Sequence, residues 1–406
     1  MDLEQKLAIL APASRFDACD SFSQQGRRYQ PRKASWNESG IVTENGADGR
    51  ARPIFRLLMS SRCEWNCAYC PLRSGNDTPR ANLSPEELAK SFLPRVQRGT
   101  VQGLMLSSGV DGGRDLAAER MLDAVETLRR QHDYRGYVHL KLLPGASATT
   151  IERAAQLADR LSLNLEAPTA AYLSRISPER HWEGDVVAPL LWMREWARKL
   201  RERRWPRNSA GHLGSGLATQ FVVGASGESD RDLLLTTMWL YRDLELRRVY
   251  FGAFRPVAGT PLHAMPATPF VREQRLREAD WLLRNYGFEQ QELPYSSAGN
   301  LPLHIDPKLA WALAHPELFP VELNTADESR LLRIPGLGPI AVRRILRLRA
   351  EQRFRDLQHL HTLGAAARRA SDFVTLDGKY FGRSVEERLR YYNREGVIAE
   401  QLHLWE

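Results

Sequence analysis

The chain has 406 residues, and its 57 lysines and arginines exceed its 49 aspartates and glutamates, which gives a formal net charge of +8. Charged residues make up 26% of the chain and hydrophobic residues 43%, proportions that are typical of folded globular proteins and exclude a wholly disordered or fibrous one. Four cysteines are too few for a disulfide scaffold of this length. The length accommodates one large enzymatic domain and a smaller appended one.

The sequence carries no signal for a membrane or for secretion. No apolar run approaches the roughly 20 residues that are needed to cross a bilayer, and residues 1–6 lack the basic and apolar regions of a signal peptide. We therefore expect a cytoplasmic protein with no membrane partner. The basic excess permits an anionic partner such as nucleic acid without requiring one.

Residues 1–52 show little periodicity apart from a short helical pattern at 2–10, so we expect a loosely structured arm. From Pro53 onward, short β-favouring segments alternate with longer helical patterns, which is typical of βα units around a parallel sheet. Six such units predict an α/β fold, a partial (β/α)6 barrel of the TIM type, in which reactive groups follow the carboxyl ends of the strands. The predicted strands are 54–59, 103–107, 138–143, 161–166, 219–224 and 249–254, and the predicted helices between them are 84–98, 115–131, 149–160, 186–203 and 230–244.

The alternation stops after Pro256. An amphipathic helix is predicted at 270–286, and a proline-rich connection at 293–307 leads to a module of short helices that begins near Glu322. This module contains the turn 335–338 and an arginine-rich run at 343–355. We predict four parts: an N-terminal arm at 1–52, the barrel at 53–265, a helical connector at 266–320 and a small all-α domain at 321–406.

Directly after the first predicted strand, Cys63, Cys67 and Cys70 form a C-x3-C-x2-C pattern. Three thiolates on one tight loop can hold three irons of a [4Fe-4S] cluster and leave the fourth iron without a protein ligand, open to chemistry. A structural zinc site normally has four protein ligands, and the remaining cysteine, Cys19, lies far upstream. The pattern therefore favours a cubane cluster at these three cysteines over a zinc ion.

This pattern, with Tyr69 directly before the last cysteine, resembles the radical S-adenosylmethionine (SAM) superfamily, and the resemblance covers residues 53–265. Weaker motifs follow the predicted strands in the superfamily's order: a turn at 107–110, a carboxylate at Glu166, a glycine-rich turn at 223–228 and a Gly-Thr-Pro ending at 259–261. Together, in order and after predicted strands, they indicate a radical SAM barrel.

The resemblance implies two cofactors, a [4Fe-4S] cluster and SAM, and a flavodoxin- or ferredoxin-type electron donor. It implies a 5′-deoxyadenosyl radical that the protein aims at one substrate hydrogen while excluding water. No catalytic residue is assigned beyond the cofactor sites. Lys141, at the end of the third predicted strand, is expected to touch SAM or substrate. The residues expected to bind the cofactor are Tyr69, Ser107, Ser108, Gly109, Lys141, Glu166, Gln220, Gly224 and Glu228.

The segment 331–345 resembles a helix-hairpin-helix, a motif that binds DNA without reading its sequence. Asn324 or Thr325 is expected to cap the first helix, and the turn to expose backbone amides that can grip a phosphate. A degenerate second copy is expected at 357–369. Alternatively, the hairpin is a packing or protein-contact module and its arginines are a solvated face. The residues expected to contact nucleic acid are Pro335, Gly336, Leu337, Gly338, Arg343, Arg344 and Arg347.

Barrel and hairpin together resemble a radical SAM family described as DNA modification or repair proteins and linked to a uracil-DNA-glycosylase-like partner. The resemblance covers nearly the whole chain and implies DNA as the substrate class. Two alternatives stay open: a radical SAM enzyme that modifies tRNA or another RNA, and a non-catalytic, cluster-bearing protein that binds DNA or senses redox state. Sulfur insertion is disfavoured, because a second cluster needs about three further cysteines and only Cys19 is left.

Overall fold

A computed structural model of the chain describes residues 1–14, 40–45, 51–203, 210–356, 358 and 367–392. The chain divides into two compact units, one made of Met1–Glu228 and Thr236–Thr268 and the other of Ser229–Leu235 and Pro269–Glu406. Cys19 and most of the expected second hairpin copy lie outside the described residues. Among the helices that are described, none is both long and apolar enough to cross a membrane.

The first unit is built on one seven-stranded sheet whose strands lie in the order in which they occur along the chain. Strands β2 to β7 each run parallel to their neighbours, and β1 pairs with β2 antiparallel. The six parallel strands of the predicted partial barrel are thus confirmed, whereas β1 adds an edge strand within the predicted arm. The strands are β1 (Ile41–Asn45), β2 (Ala51–Leu58), β3 (Gly103–Ser107), β4 (Tyr137–Leu142), β5 (Arg160–Leu163), β6 (Gly216–Val223) and β7 (Arg248–Ala253).

Helices lie between consecutive parallel strands, as the alternation predicts. Capping residues in the local sequence fix where these helices begin. Ser84 and Glu87, for example, form a capping box at the beginning of the second helix. The third and sixth helices each adjoin a π-helical turn, at Thr127–Gln131 and Trp182–Val187. The helices of this unit are α1 (Leu3–Ala13), α2 (Pro85–Gln97), α3 (Arg114–Glu126), α4 (Ala148–Leu157), α5 (Ala170–Ile176) and α6 (Ala188–Glu202), with most of α7 (Asp230–Arg242).

The sheet curls, and its two faces have different surroundings. On the outer face, the ring of Phe55 in β2 stacks on Phe92 of α2, with ring centroids 6.2 Å apart. On the inner face, side chains from four strands pack into one apolar cluster, with Val42 and Tyr137 against it. Because contacts join β2 and β3 to β6 and β7, the cluster closes the interior of the curled sheet and is here called the floor. It consists of Ile54, Met105, Ala218 and Tyr250.

The second unit combines helices with a small sheet. Its helices are α8 (Phe270–Asn285), α9 (Pro307–Ala314), α10 (Glu328–Arg333) and α11 (Pro339–Glu351), followed by Ala367–Ala370 and Val385–Tyr392. Within the segment expected to be all-α, the strands Val321–Glu322, Val374–Leu376 and Lys379–Tyr380 form a three-stranded sheet. Strands of two or three residues are too short to show alternation, which explains why the sequence pattern missed them.

The first hairpin helix begins later than expected. Asp327 caps α10, because its side chain accepts a hydrogen bond of 2.8 Å from the amide of Arg330. The expected caps, Asn324 and Thr325, were wrong. Instead, the side-chain amide of Asn324 donates a hydrogen bond of 2.9 Å to the main-chain oxygen of Phe354. Asn324 therefore joins two segments 30 residues apart and does not cap a helix.

Candidate active site at the carboxyl ends of the strands

The three cysteines lie on a loop that follows β2, at the edge of the sheet where the parallel strands end. The loop's main chain is held on several sides. The amide of Glu64 donates to the oxygen of Val110 at 2.8 Å, and the amide of Ala68 donates to the oxygen of Ile176 at 2.8 Å. The amide of Leu262, directly after the predicted Gly-Thr-Pro ending, donates to the oxygen of Ala68 at 3.3 Å. Turns distant in sequence therefore fix the position of the cysteine loop.

Side chains within the loop add to this support. The carboxylate of Glu64 accepts hydrogen bonds from the amides of Gly112 and Gly113, at 2.8 and 3.2 Å, where α3 begins. This is a favourable place for a negative charge, because the helix N-terminus carries unsatisfied N–H groups. The main-chain amide of Asn66 donates to the carboxylate of Glu179 at 2.8 Å, and its side-chain oxygen accepts from the main-chain amide of Gly75 at 3.0 Å. Glu64 and Asn66 thus have a positioning role that the spacing of the cysteines alone does not reveal.

The thiols themselves are reduced and shielded. Cys67 is buried, Cys63 and Cys70 are half-buried, and all three are free. Burial raises the pKa of the Cys63 and Cys70 thiols, so without metal they hold their protons, and binding of iron would release them. In the described part of the chain, no three His, Cys, Asp or Glu side chains are arranged so that they could hold a single metal ion. A cubane cluster needs no such convergence, because each thiolate binds a different iron.

Arg180 lies against the cysteine loop, and the sequence motifs gave no hint of it. Its Nη2 is 3.8 Å from Sγ of Cys67, its Nη1 is 3.6 Å from a carboxylate oxygen of Glu166, and its guanidinium stacks over Trp65 at 5.1 Å from the ring centroid. Burial alone would lower the pKa of Arg180, but Tyr69, Cys67 and Glu166 hold it above its ordinary value. A permanent positive charge therefore stands next to the cysteines.

Glu166 occupies a strained backbone position at the end of the β5 segment. Its φ is +66°, unusual for a residue other than glycine, and its amide and oxygen bond to Gln220 and Val222 of β6 at 3.0 and 2.9 Å. One of its carboxylate oxygens accepts a hydrogen bond from Asn164 at 3.1 Å. The other oxygen, with Oδ1 of Asn164 and Oε1 of Gln220, is buried and has no hydrogen-bond partner among the described residues.

Three buried acceptors without donors are costly, at about 1–3 kcal/mol each, and they call for a ligand that brings donors. Ribose hydroxyls and an amino group, both of which SAM carries, are donors of this kind. The three thiols can serve as iron ligands, and these three oxygens can accept hydrogen bonds from SAM. The site therefore fits both cofactors that the sequence implies. Glu166 and Gln220 were expected at this position, whereas Asn164 was missed although it stands two residues before Glu166 on the same strand face.

The turn that contains Gly109 supports the cysteine loop by packing. A Cβ atom at Gly109 would lie 2.1 Å from the main-chain oxygen of Arg62, so only glycine lets this turn support the cysteine loop. Ser107 is buried, and the hydroxyl of Ser108 donates to the oxygen of Gly109 at 2.8 Å. The hydrogen bonds found for these residues are with protein, so the cofactor role expected for them stays a prediction.

The turn after β6 is closed by its own acidic residue. The carboxylate of Glu228 accepts hydrogen bonds from the amide of Gly224 and from the amide and hydroxyl of Ser226, the last at 2.6 Å. Gly224 has a φ of +90°, which favours glycine. Glu228 therefore shapes the turn, and the cofactor role expected for it stays a prediction.

Tyr69 and Lys141 complete the expected cofactor set. Tyr69 is half-buried, and burial together with the negative charge of Glu166 raises its pKa. Lys141 is buried in β4 on the same strand face as His139. His139 lies inside the curled sheet, where its Nε2 hydrogen-bonds the hydroxyl of Ser162 at 2.7 Å.

The residues expected to contact nucleic acid lie in the second unit and divide into two groups. Pro335 and Leu337 are buried, so their side chains support the hairpin rather than contact a ligand. Gly336 has a φ of +87°, as the sharp turn requires, and Gly338 starts α11 without a side-chain cap. The turn is held in place by a buried hydrogen bond, which the Nζ of Lys308 donates to the main-chain oxygen of Leu337 at 2.6 Å.

The second group is charged and exposed. Three arginines on α11 point to solvent, and no salt bridge to a carboxylate is found for them within the described ranges. Arg349, from the same run, is used differently, since its Nη1 donates to the oxygen of Leu323 at 3.2 Å. The exposed arginines are Arg343, Arg344 and Arg347.

No protein-family model matches the chain, and no curated protein matches its sequence significantly. Solved structures that resemble it include methylornithine synthase (PylB), which is 16% identical with a TM-score of 0.45 over 57% of this chain and 61% of that one. A radical SAM methyltransferase from Sphaerobacter thermophilus is 15% identical with a TM-score of 0.40 over 60% of this chain and 70% of that one. The chain spans less than two thirds of methylornithine synthase. Similarity at this level does not identify a substrate or a reaction for the chain.

Proposed function

We propose that the chain is a radical SAM enzyme that binds a [4Fe-4S] cluster through Cys63, Cys67 and Cys70 and acts on DNA. One observation carries the enzymatic part: the three-cysteine loop stands at the carboxyl ends of a curled parallel sheet, beside buried oxygens that lack donors. When bound, the cluster and SAM supply a 5′-deoxyadenosyl radical by one-electron cleavage of the sulfonium C–S bond.

The chain's own residues bind, orient and shield. Glu166, Asn164 and Gln220 accept hydrogen bonds from the donors of SAM, which satisfies oxygens that otherwise have no partner. Arg180 offsets the negative charge of the cysteine thiolates, 3.8 Å from Sγ of Cys67. The apolar floor closes the far end of the curled sheet and keeps water from a reactive radical.

The enzymatic part is tested by anaerobic reconstitution of the cluster, reduction in the presence of SAM, and measurement of 5′-deoxyadenosine. We expect about four irons per chain and formation of 5′-deoxyadenosine. Cys67→Ala is expected to lose both, and Cys19→Ala, which removes the one cysteine outside the motif, to keep both. An intact cluster that yields no 5′-deoxyadenosine would contradict the enzymatic proposal and favour a redox-sensing protein.

The DNA part rests on the second unit. The first amides of α11 have no side-chain cap, and a helix N-terminus of this kind binds phosphate. The exposed arginines of α11 follow within about two and a half turns and add charge without reading bases. Duplex DNA, single-stranded DNA and tRNA of matched length, titrated at several salt concentrations, distinguish the substrates. We expect DNA to bind more tightly, and tighter binding of tRNA would favour RNA modification.

Two partners belong to the same proposal. A flavodoxin- or ferredoxin-type protein supplies the electron, and a uracil-DNA-glycosylase-like protein acts on the same DNA. Each candidate is tested by adding the purified partner to the cluster-loaded chain. We expect the electron donor to replace a chemical reductant in 5′-deoxyadenosine formation, and the glycosylase-like protein to co-elute with the chain.

A further inference from the structure

Arg56 is a buried charge inside the curled sheet. It stands in β2 between Ile54, which belongs to the floor, and Leu58, and it alternates with Phe55, whose ring packs outward on α2. Its exposed fraction is 2%, and its Nε and Nη2 have no hydrogen-bond partner in the described part of the chain. A buried, unpaired guanidinium costs several kcal/mol, so its presence points to a ligand that the chain lacks on its own.

Other polar groups share the inner face with Arg56. In register across the sheet, Arg56 lies beside Met105, which lies beside His139, which lies beside Arg160. His139 is almost wholly buried, and its pKa is held well below the ordinary value by burial and by the positive charges of Arg160, Lys141 and Arg56. The histidine is therefore neutral, and three cations lie around it on the inner face, beside the floor residues Met105 and Tyr250.

The region that these cations share is also held by hydrogen bonds. Nη1 of Arg160 donates to the hydroxyl of Tyr250 at 2.9 Å, so a floor residue orients one of the cations. The hydroxyl of Ser162 is fixed by His139 at 2.7 Å. Side chains locked in this way form a preorganised site rather than a mobile surface patch.

We propose that this space binds a phosphate group of a nucleotide substrate, with Arg56 as its principal ligand. A guanidinium matches phosphate oxygens in a bidentate manner, and three facing cations favour a doubly charged phosphate over a singly charged carboxylate. The proposal rests on the proposed function, since it specifies how a nucleotide is held inside the same curled sheet. It places a terminal phosphate, rather than an internal phosphodiester, near the floor.

The test is calorimetric binding of 2′-deoxyadenosine 5′-monophosphate to the cluster-loaded full chain, with 2′-deoxyadenosine as the probe that lacks the phosphate. We expect the monophosphate to bind and the nucleoside to bind at least about 10-fold more weakly, the usual effect of a lost charged hydrogen bond. Arg56→Met is expected to reduce monophosphate affinity by about 10- to 100-fold, and Arg56→Lys by less. Arg98→Met, at an exposed position directly after α2, removes the same charge and should leave affinity unchanged.

Stability and competition supply independent readouts. Without ligand, Arg56→Met should unfold at the same temperature as the wild type or higher, because an unpaired buried charge is removed. An Arg56→Met variant that does not fold would show a structural role and overturn the proposal, as would equal binding of nucleoside and monophosphate. SAM should bind together with the monophosphate, and displacement by SAM would assign the space to SAM itself. These readouts do not require SAM cleavage, so failure here is separate from failure of the enzymatic proposal.

The source of the phosphate is resolved with short DNA strands. A strand with a 5′-terminal phosphate should bind more tightly than the same strand with a 5′-hydroxyl, and Arg56→Met should remove the difference. If only the free monophosphate responds to Arg56→Met, the substrate is a free nucleotide rather than a DNA end.

Discussion

A Cβ atom at position 109 would lie 2.1 Å from the main-chain oxygen of Arg62, so Gly109 packs directly against the chain that leads into Cys63. The amide of Gly109 also donates to the oxygen of Ser60 at 2.8 Å. Gly109→Ala should therefore displace the cysteine loop, lower the iron and sulfide content after reconstitution, and cost about 1–3 kcal/mol, as overpacking usually does.

Gly214→Ala is the matched control for this variant. A Cβ atom at position 214 would meet no atom within 4 Å, so the change adds a methyl group without a clash. We expect its cluster content to equal that of the wild type. Full cluster content in Gly109→Ala would show that the loop does not depend on this contact.

Glu166 is predicted to hold SAM rather than the cluster. In Glu166→Gln, one charged acceptor becomes neutral and SAM affinity should fall by about 10- to 100-fold, while iron content stays at the wild-type value. Isothermal titration of SAM into the reconstituted protein measures the first quantity and iron analysis the second. Equal loss of iron would instead show that Glu166 supports the cysteine loop through Arg180, 3.6 Å away.

The parallel strands were predictable, and the edge strand was not. Strands buried on both faces are indicated by short, largely apolar runs, and β3 (Gly103–Ser107), whose five residues are all buried, is the clearest example. Among the described residues, Ile41–Asn45 pair with β2 alone, so their position depends on partners at 51–55 rather than on a pattern of their own. Edge strands of five residues are therefore the elements that single-sequence patterns miss most easily.

The same difference explains which site residues were found. The cysteines are recognisable because their spacing is local, whereas Arg180 lies 113 residues from Cys67 and is brought to it only by the fold. Arg56 did carry a signal that went unused: it is a charge between two apolar residues of the same strand face, Ile54 and Leu58. The helix cap was misplaced because Asn324 and Asp327 are both good capping residues and only tertiary contacts decide between them.

Arg180 should tune the reduction potential of the cluster. Its positive charge stabilises the more negative, reduced state, so Arg180→Met is expected to shift the potential to more negative values, on the order of tens of millivolts. Spectroelectrochemical titration of the cluster measures the shift. Arg153→Met, which removes a charge paired with Asp123 and Glu126 on the helical surface, is the control. An unchanged potential in Arg180→Met would rule out this role.

The arginines of α11 should bind the nucleic acid backbone without reading sequence. Replacing Arg343, Arg344 and Arg347 with glutamine is expected to weaken DNA binding similarly for all sequences and to reduce the slope of log K against log salt by about 2–3. Filter binding at four salt concentrations gives the slope. A triple glutamine variant at Arg130, Arg135 and Arg242, exposed arginines that already pair with carboxylates, changes the net charge equally. If both triple variants lose affinity to the same degree, net charge and not the hairpin explains binding.

Glu278 is expected to make the stability of the second unit depend on pH. Burial raises the pKa of Glu278 from an ordinary 4.5 to about 7, although Arg275 lies 2.8 Å away and opposes the shift. Between these values the folded state holds a proton that the unfolded state has released, so the free energy of unfolding falls as pH rises from about 4.5 to 7. Glu278→Gln mimics the protonated form and should match the wild type near pH 5 but exceed it in stability above pH 7. Urea unfolding of both proteins at pH 5, 6, 7 and 8 measures the difference, and a constant difference across this range would show that Glu278 does not titrate there.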